Sequence, residues 1–385
     1  MSVERKTPHH AWLAVCVGSA LGTSAAQALD WNQTPTVAVY SGNDSNLHLS
    51  TTDEGDVTSS GLDLSTNVVG AGERMQLTLR PRINATNYSD ERERDRRDGY
   101  FDTSLAVGNE RQRWTLSGGY VRDGTLLNAF EESGFTTVDV DRDRSNLAVG
   151  WSRTTSERGT TSLSLSSQSV RHEEVVGDPF LDYDQAGARF AYTHALRERV
   201  NVEFGVRASQ LDTEAALGAT NSVGVGVTFS GSWSESLEYR IGGGRYRSRY
   251  PDVIATENSD TAFDASLAKR WERWRVTTSL SSGIEASSYG VFYRREAASF
   301  DVNHRFTEAL DAGLRFTAAH IESDQPLFYY EDRRYAYAQL SLNWRFAERL
   351  WLSTSLGARA QEYLGQERAR GAYGQIGLTY RGRGS

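Results

Sequence analysis

The chain has 385 residues, 42 of them basic and 50 acidic, for a formal net charge of -8. So mild a charge argues against a nucleic-acid partner, and a single cysteine, Cys16, rules out a disulfide framework or a cysteine metal site. The mean hydropathy is negative, and no segment approaches the roughly 20 consecutive apolar residues of a spanning helix, which excludes a helical membrane protein.

The first residues read as an export address. Arg5 and Lys6 supply a positive start, 11–21 a short apolar run, and Ala26-Gln27-Ala28 a small-x-small cleavage site. Residues 1–28 are therefore expected to be a Sec signal peptide and 29–385 the mature domain. "LAVC" around Cys16 matches a lipidation box only loosely, because Val15 is not the small residue required. An exported chain without an apolar helix is either a secreted all-β protein or a closed barrel in a bacterial outer membrane.

Period-two alternation runs along most of the remaining chain. In 338–346 the even positions are Ala338, Leu340, Leu342, Trp344 and Phe346, and the odd ones Gln339, Ser341, Asn343 and Arg345. The alternation predicts strands starting at Thr36, Val57, Met75, Gly99, Gln112, Asp143, Thr160, Asp184, Val200, Asn221, Leu237, Asp260, Trp274, Ala298, Leu310, Arg334, Leu350 and Gly371. The stretch "WRFAERLWL" (344–352), which could pass for a helix face, becomes a hairpin because its alternation continues into both flanks.

Connections alternate between short turns, such as 70–73, 196–199 and 346–349, and long polar loops, such as 89–99, 122–143, 171–184 and 321–333. That alternation predicts the fold class: all-β, a single closed antiparallel transmembrane barrel of about 18 strands, with 16 as the alternative count, short periplasmic turns and long extracellular loops. A soluble sandwich gives no reason for such sorting.

The tryptophans cluster at the short turns. Trp114, Trp151, Trp271, Trp274, Trp344 and Trp351 are assigned to a periplasmic interface girdle, with Trp31 and Trp233 beside them. Tyrosines near the long loops (Tyr88, Tyr100, Tyr120, Tyr246, Tyr250, Tyr293, Tyr335, Tyr337, Tyr363) suggest an external one. "GQIGLTY" resembles a C-terminal barrel-assembly signal, although Arg-Gly-Arg-Gly-Ser follows it.

With apolar positions facing lipid, the opposite face offers pore-lining candidates: Arg80, Arg82, Arg113, Glu203, Arg207, Glu238, Arg240, Asp301, Arg305 and Arg345. Such mixed charge either sets the selectivity of a pore or pairs across strands to brace the wall. Residues 122–143 and 321–333 are the candidate plugs. Too few residues precede the first strand for a separate plug domain.

No catalytic motif stands out: Walker A, dinucleotide and His-Glu-x-x-His patterns are missing. In "DVDRD" Arg144 occupies the position where a calcium loop needs glycine, so no metal is assigned. His172 with Glu173, Glu174 and Asp182, and His320 with Asp324, lie near the external rim where a hydrolase could sit. No serine stands in a recognisable relation to either, and solvated loop histidines account for both. The expectation is a non-enzyme with no cofactor.

"YSGNDSNLHLS" (40–50) and "GERMQLTLRPRINATNYSDERERD" (72–95) resemble a family of outer-membrane barrels associated with exopolysaccharide and PEP-CTERM sorting systems. That resemblance implies a role in export or display of polysaccharide and supplies no catalytic residues. The expected function is thus a porin-like or polysaccharide-associated pore, with a structural or adhesive barrel acting through its loops as the alternative and a rim hydrolase as the third reading. The expected partners are outer-membrane lipid and lipopolysaccharide, the barrel-assembly machinery, and polysaccharide or export-system components.

Overall fold

The computed structural model describes residues 29–51, 55–89, 95–125, 140–173, 181–213, 219–249, 257–286, 292–322, 332–363 and 365–384. The expected signal peptide, Cys16, Tyr250, Asp324 and most of both candidate plugs lie outside them.

Eighteen strands follow one another: β1 (Asp30–Asp44), β2 (Val57–Ala71), β3 (Met75–Tyr88), β4 (Arg96–Gly108), β5 (Gln112–Gly124), β6 (Asp141–Ser156), β7 (Gly159–His172), β8 (Tyr183–Arg197) and β9 (Val200–Thr213) form the first half. The second half is β10 (Thr220–Ser234), β11 (Leu237–Arg249), β12 (Glu257–Arg270), β13 (Trp274–Ala286), β14 (Phe292–Arg305), β15 (Leu310–Glu322), β16 (Arg333–Ala347), β17 (Leu350–Tyr363) and β18 (Ala369–Arg381). Each strand pairs with the next, antiparallel, and β1 pairs with both β2 and β18, so the sheet closes without an edge. From a strand spacing of ~4.8 Å and a tilt of ~40°, the backbone lies about 18 Å from the barrel axis.

The strand count agrees with the alternation, and the starts after short turns agree best: Met75, Gln112, Val200, Leu237, Trp274, Leu310 and Leu350 begin strands where expected. Apart from Val57, which begins where expected, starts after long loops come earlier than expected, by six residues at Phe292. A short turn fixes its register, whereas strand pairing runs on beyond the apolar stretch toward the loops, where the alternation no longer marks it.

Register assigns the two faces. Leu314, Leu340 and Leu356 are directly opposite across β15, β16 and β17, and each is exposed on the outer wall. Intervening positions such as Gln339 and Ser341 face the interior. The short-turn rim is stitched together by one repeated backbone bond: the N–H ending each hairpin donates to a carbonyl of the neighbouring turn, from Gly108 to Arg74 and onward to Arg381 to Arg349. The tail after Tyr380 joins this seam, because the Gly382 N–H donates to the Pro35 carbonyl.

The tyrosine girdle needs correction. Tyr100, Tyr246, Tyr335, Tyr337 and Tyr363 share the register of interior residues; of the expected set only Tyr120 is described on the outside. Nearness to a loop does not decide a face; parity along the strand does. Inside, tyrosine rings occupy the space that a Cβ would take on the glycine across the strand: Tyr246 against Gly224, Tyr373 against Gly357, and Tyr40 against Gly61. The Tyr40 hydroxyl reaches over β2 to Asn84 Oδ1 at 2.8 Å and Thr86 Oγ1 at 2.6 Å.

A Cβ on Gly61 would fall inside the Tyr40 ring. Gly61→Ala is therefore expected to expel the ring and cost about 1–2 kcal/mol through the lost hydrogen bonds. In a double-mutant cycle by urea unfolding of the refolded barrel, Tyr40→Ala should remove most of that penalty.

Candidate lumenal site

All ten residues expected to line a pore lie on the interior face by register. Their partners separate the two readings of the mixed charge. Arg82 meets Asp63 at 2.6 Å, Arg240 meets Asp264 at 3.1 Å, Asp301 meets Arg315 at 2.8 Å, and Glu203 pairs with Arg189. Each pair joins adjacent strands and so braces the wall. These side chains stay wet even so: Arg315 is 54% and Arg82 49% exposed, values that require open space on the axial side.

Other candidates take neutral partners. Arg80 donates to Asn67 Oδ1 at 3.1 Å, and the Arg207 guanidinium lies 5.0 Å from the Tyr246 ring centroid. Arg345 donates to the Glu308 carbonyl and faces the Trp351 ring. No ion pair involving Arg113, Glu238 or Arg305 occurs among the described residues. Beside Arg207, glycines of β9, β10 and β11 (Gly205, Gly226, Gly243, Gly244) thin the wall into a recess of about 290 Å³ that Arg189, Asp264 and Tyr246 also line.

The tryptophans lie at the short-turn rim as expected, but not all point outward. Trp114, Trp271, Trp274 and Trp344 are exposed on the exterior with Trp31 and Trp233, and Trp151 lies beside Trp114 with the two rings tilted at 49°. Trp351 is the exception. It is opposite Arg345 on the interior face, while its neighbours Leu350 and Leu352 continue the outer row. Its ring lies between Arg345 and Arg381, at 5.6 and 4.6 Å from the guanidinium carbons.

The histidines also separate by face. His172 is interior, its side chain nearly buried, with its backbone N–H donating to Asp182 at 2.7 Å and its ring Nδ1 3.6 Å from the same carboxylate. His320 is on the exterior between Asp332 at 3.4 Å and Glu296 at 4.0 Å. Carboxylates, rather than a hydroxyl nucleophile, flank the His320 ring.

One interior element was not anticipated. Residues 45–51, after β1, fold inward against the wall of β14 to β18. Leu47 and Leu49 are buried with Ile321, Tyr293, Tyr335 and Ala319. Arg359 fastens the segment, donating to Asp44 at 2.5 Å and to the Asn46 and Leu47 carbonyls at 3.2 Å. Asn46 ties the loop to itself through Ser50 and to β18 through the Arg370 carbonyl. Leu49 is held at a φ of 48°, uncommon for a bulky residue. The sequence carried a signal for it: two leucines inside the otherwise polar "SNLHLS".

Arg359 and Asp44 are largely buried, so removing one charge strands the other. Arg359→Ala is expected to lose about 3 kcal/mol in urea unfolding and to open 45–51 to limited proteolysis, whereas Leu340→Ala on the outer wall should leave that cleavage pattern unchanged.

No protein-family model matches the chain, and no curated protein sequence matches it. Solved structures do. Pseudomonas aeruginosa OccK2 (OpdF) aligns with a TM-score of 0.54 at 10% identity over 92% of this chain and 98% of that one. Acinetobacter baumannii OccAB2 aligns at 0.51 and 9% identity, over 92% and 98%. OccK2 has also been solved in complex with glucuronate, and that structure aligns at 0.52 and 10% identity, over 91% and 98%. At these identities the likeness is one of fold: the chain is built as the 18-stranded Occ and Opd barrels are.

Proposed function

We propose that the chain is a porin-like, non-enzymatic channel of the bacterial outer membrane. The observation that carries this reading is the opposition of the two faces: an apolar outer wall, and interior ion pairs whose arginines remain about half exposed inside a closed barrel. A barrel wall satisfies every backbone group while presenting apolar side chains to hydrocarbon. At 16 strands or more the interior is normally wide enough for water. The Occ and Opd barrels that share the fold are outer-membrane porins, which supports the same reading.

Orientation follows from connection length: short turns in the periplasm, long loops outside. The exterior tryptophans then sit at the periplasmic interface, where amphipathic rings are favoured. Residues 45–51 narrow the lumen at its external end. Polysaccharide export is the finer version of the proposal; it rests on the resemblance of 37–86 and would make the lumen a conduit for a polymer rather than for small solutes.

Two measurements test the channel. The refolded barrel should conduct in stepwise increments in planar bilayers; a sealed barrel sinks the proposal. Leu340→Arg on the outer wall should destabilise the barrel in lipid vesicles by about 2–4 kcal/mol, while Gln339→Arg, one residue away on the interior, should cost little.

A further inference from the structure

Many interior charges of this barrel are matched. At the long-loop end Arg142 pairs with Asp123 at 3.1 Å, Arg96 with Asp98 at 3.4 Å, and Arg359 with Asp44. Midway along the wall the four ladder pairs described above do the same. At the short-turn mouth the pattern breaks down along one arc of the wall, from β12 to β18.

Register brings Arg270 and Arg275 directly opposite one another on β12 and β13, facing inward. Arg305 follows on β14, Arg345 on β16 and Arg381 on β18, all on the interior face. No ion pair to any of the five occurs among the described residues. Arg345 and Arg381 turn to the Trp351 ring. The one acid in this interior arc, Asp311, is opposite Arg305 but accepts instead from Asn343 Nδ2 at 3.0 Å. Among the described residues no turn glutamate forms an ion pair with the arc: Arg345 takes the carbonyl of Glu308 rather than its carboxylate, Glu348 meets Arg383 at 3.6 Å, and Glu272, in the turn between Arg270 and Arg275, pairs with neither.

Like charges directly opposite on neighbouring strands oppose folding, and among the described residues neither Arg270 nor Arg275 forms an ion pair that would offset the other. A barrel that pairs many of its interior charges elsewhere and gathers five cations without an ion pair at one mouth is arranged to meet negative charge from outside itself. The spacing says what kind. With strands ~4.8 Å apart and tilted by ~40°, five cations over seven strands span about 38 Å of backbone rim. One small anion reaches two of them at most; a solute bearing several negative charges along its length reaches more. We propose that the arc of Arg270, Arg275, Arg305, Arg345 and Arg381 is a docking surface for polyanionic solutes that approach from the short-turn side. Because it lies on one side only, the barrel is electrically asymmetric, drawing anions in from that mouth more strongly than from the other.

The inference rests on the channel reading for its role in transport, but binding can be measured without conductance. Inorganic tripolyphosphate is the probe, titrated calorimetrically into the detergent-folded barrel. Wild type should bind it in a salt-sensitive manner. R270Q/R275Q/R305Q/R345Q/R381Q should bind roughly ten-fold more weakly or worse, and the milder R275Q/R305Q should fall between. The wall control R82Q/R315Q should stay within about two-fold of wild type, because its arginines already hold carboxylates. Heat-modifiable gel migration verifies that each variant is folded. In bilayers, tripolyphosphate should block single channels at lower concentration from one face than from the other, and the five-fold variant should lose that difference. Equal weakening in the wall control, or equal block from both faces, overturns the proposal. Binding without any conductance would instead remove the channel reading and leave the arc standing.

Discussion

Everything in this molecule depends on the pairing of β1 with β18. Until that seam forms, an 18-stranded sheet has two edges of unsatisfied backbone groups, which neither water-free lipid nor a soluble sheet of this size tolerates. Once it forms, every strand has two neighbours and the pleat alone decides what each residue sees. The seam joins Val37 to Tyr380 and Val39 to Leu378 on the outside, with Ala38 and Thr379 inside. Closure therefore enforces the same separation of faces that the rest of the barrel repeats.

From that separation come two walls with different energetics. The outer wall needs only apolar bulk, and exposed residues such as Leu163, Phe204, Val225 and Leu356 supply it without any specific partner. The inner wall must satisfy polar groups at short range. It does so with cross-strand units: carboxylate against arginine, and tyrosine against glycine. Arg189 with Glu203 and Arg240 with Asp264 lie on either side of the glycine-thinned recess, so the thinnest part of the wall is bordered by ion pairs. The inward fold of 45–51 uses a third device, an arginine that serves one carboxylate and two carbonyls at once.

Fold and strand number were legible in the sequence because both derive from period two and from turn length, which are local properties. The interior placement of Arg80, Arg82, Glu203 and Arg240 was legible for the same reason. Trp351 shows where residue type misleads: grouped with the other tryptophans it suggests a girdle, yet parity with Leu350 and Leu352 places it inside. The tyrosines repeat that lesson. Partners were not legible at all. Nothing in the alternation tells that Asp63 holds Arg82, or that Arg359 reaches a loop more than 300 residues earlier in the chain. Arg275 and Arg381 are interior by the same parity rule, but that rule does not tell that pairing of neighbouring strands sets them beside Arg270 and Trp351.

The central claim is that β16, like every strand here, has one face in lipid and the other in water. Single cysteines introduced from 338 to 343 in the mature barrel, reconstituted in vesicles and challenged with a membrane-impermeant thiol reagent, test it residue by residue. Labelling should alternate, rapid at 339, 341 and 343 and suppressed at 338, 340 and 342. Uniform labelling would contradict a membrane-embedded wall, and protection at every position would contradict a water-filled lumen.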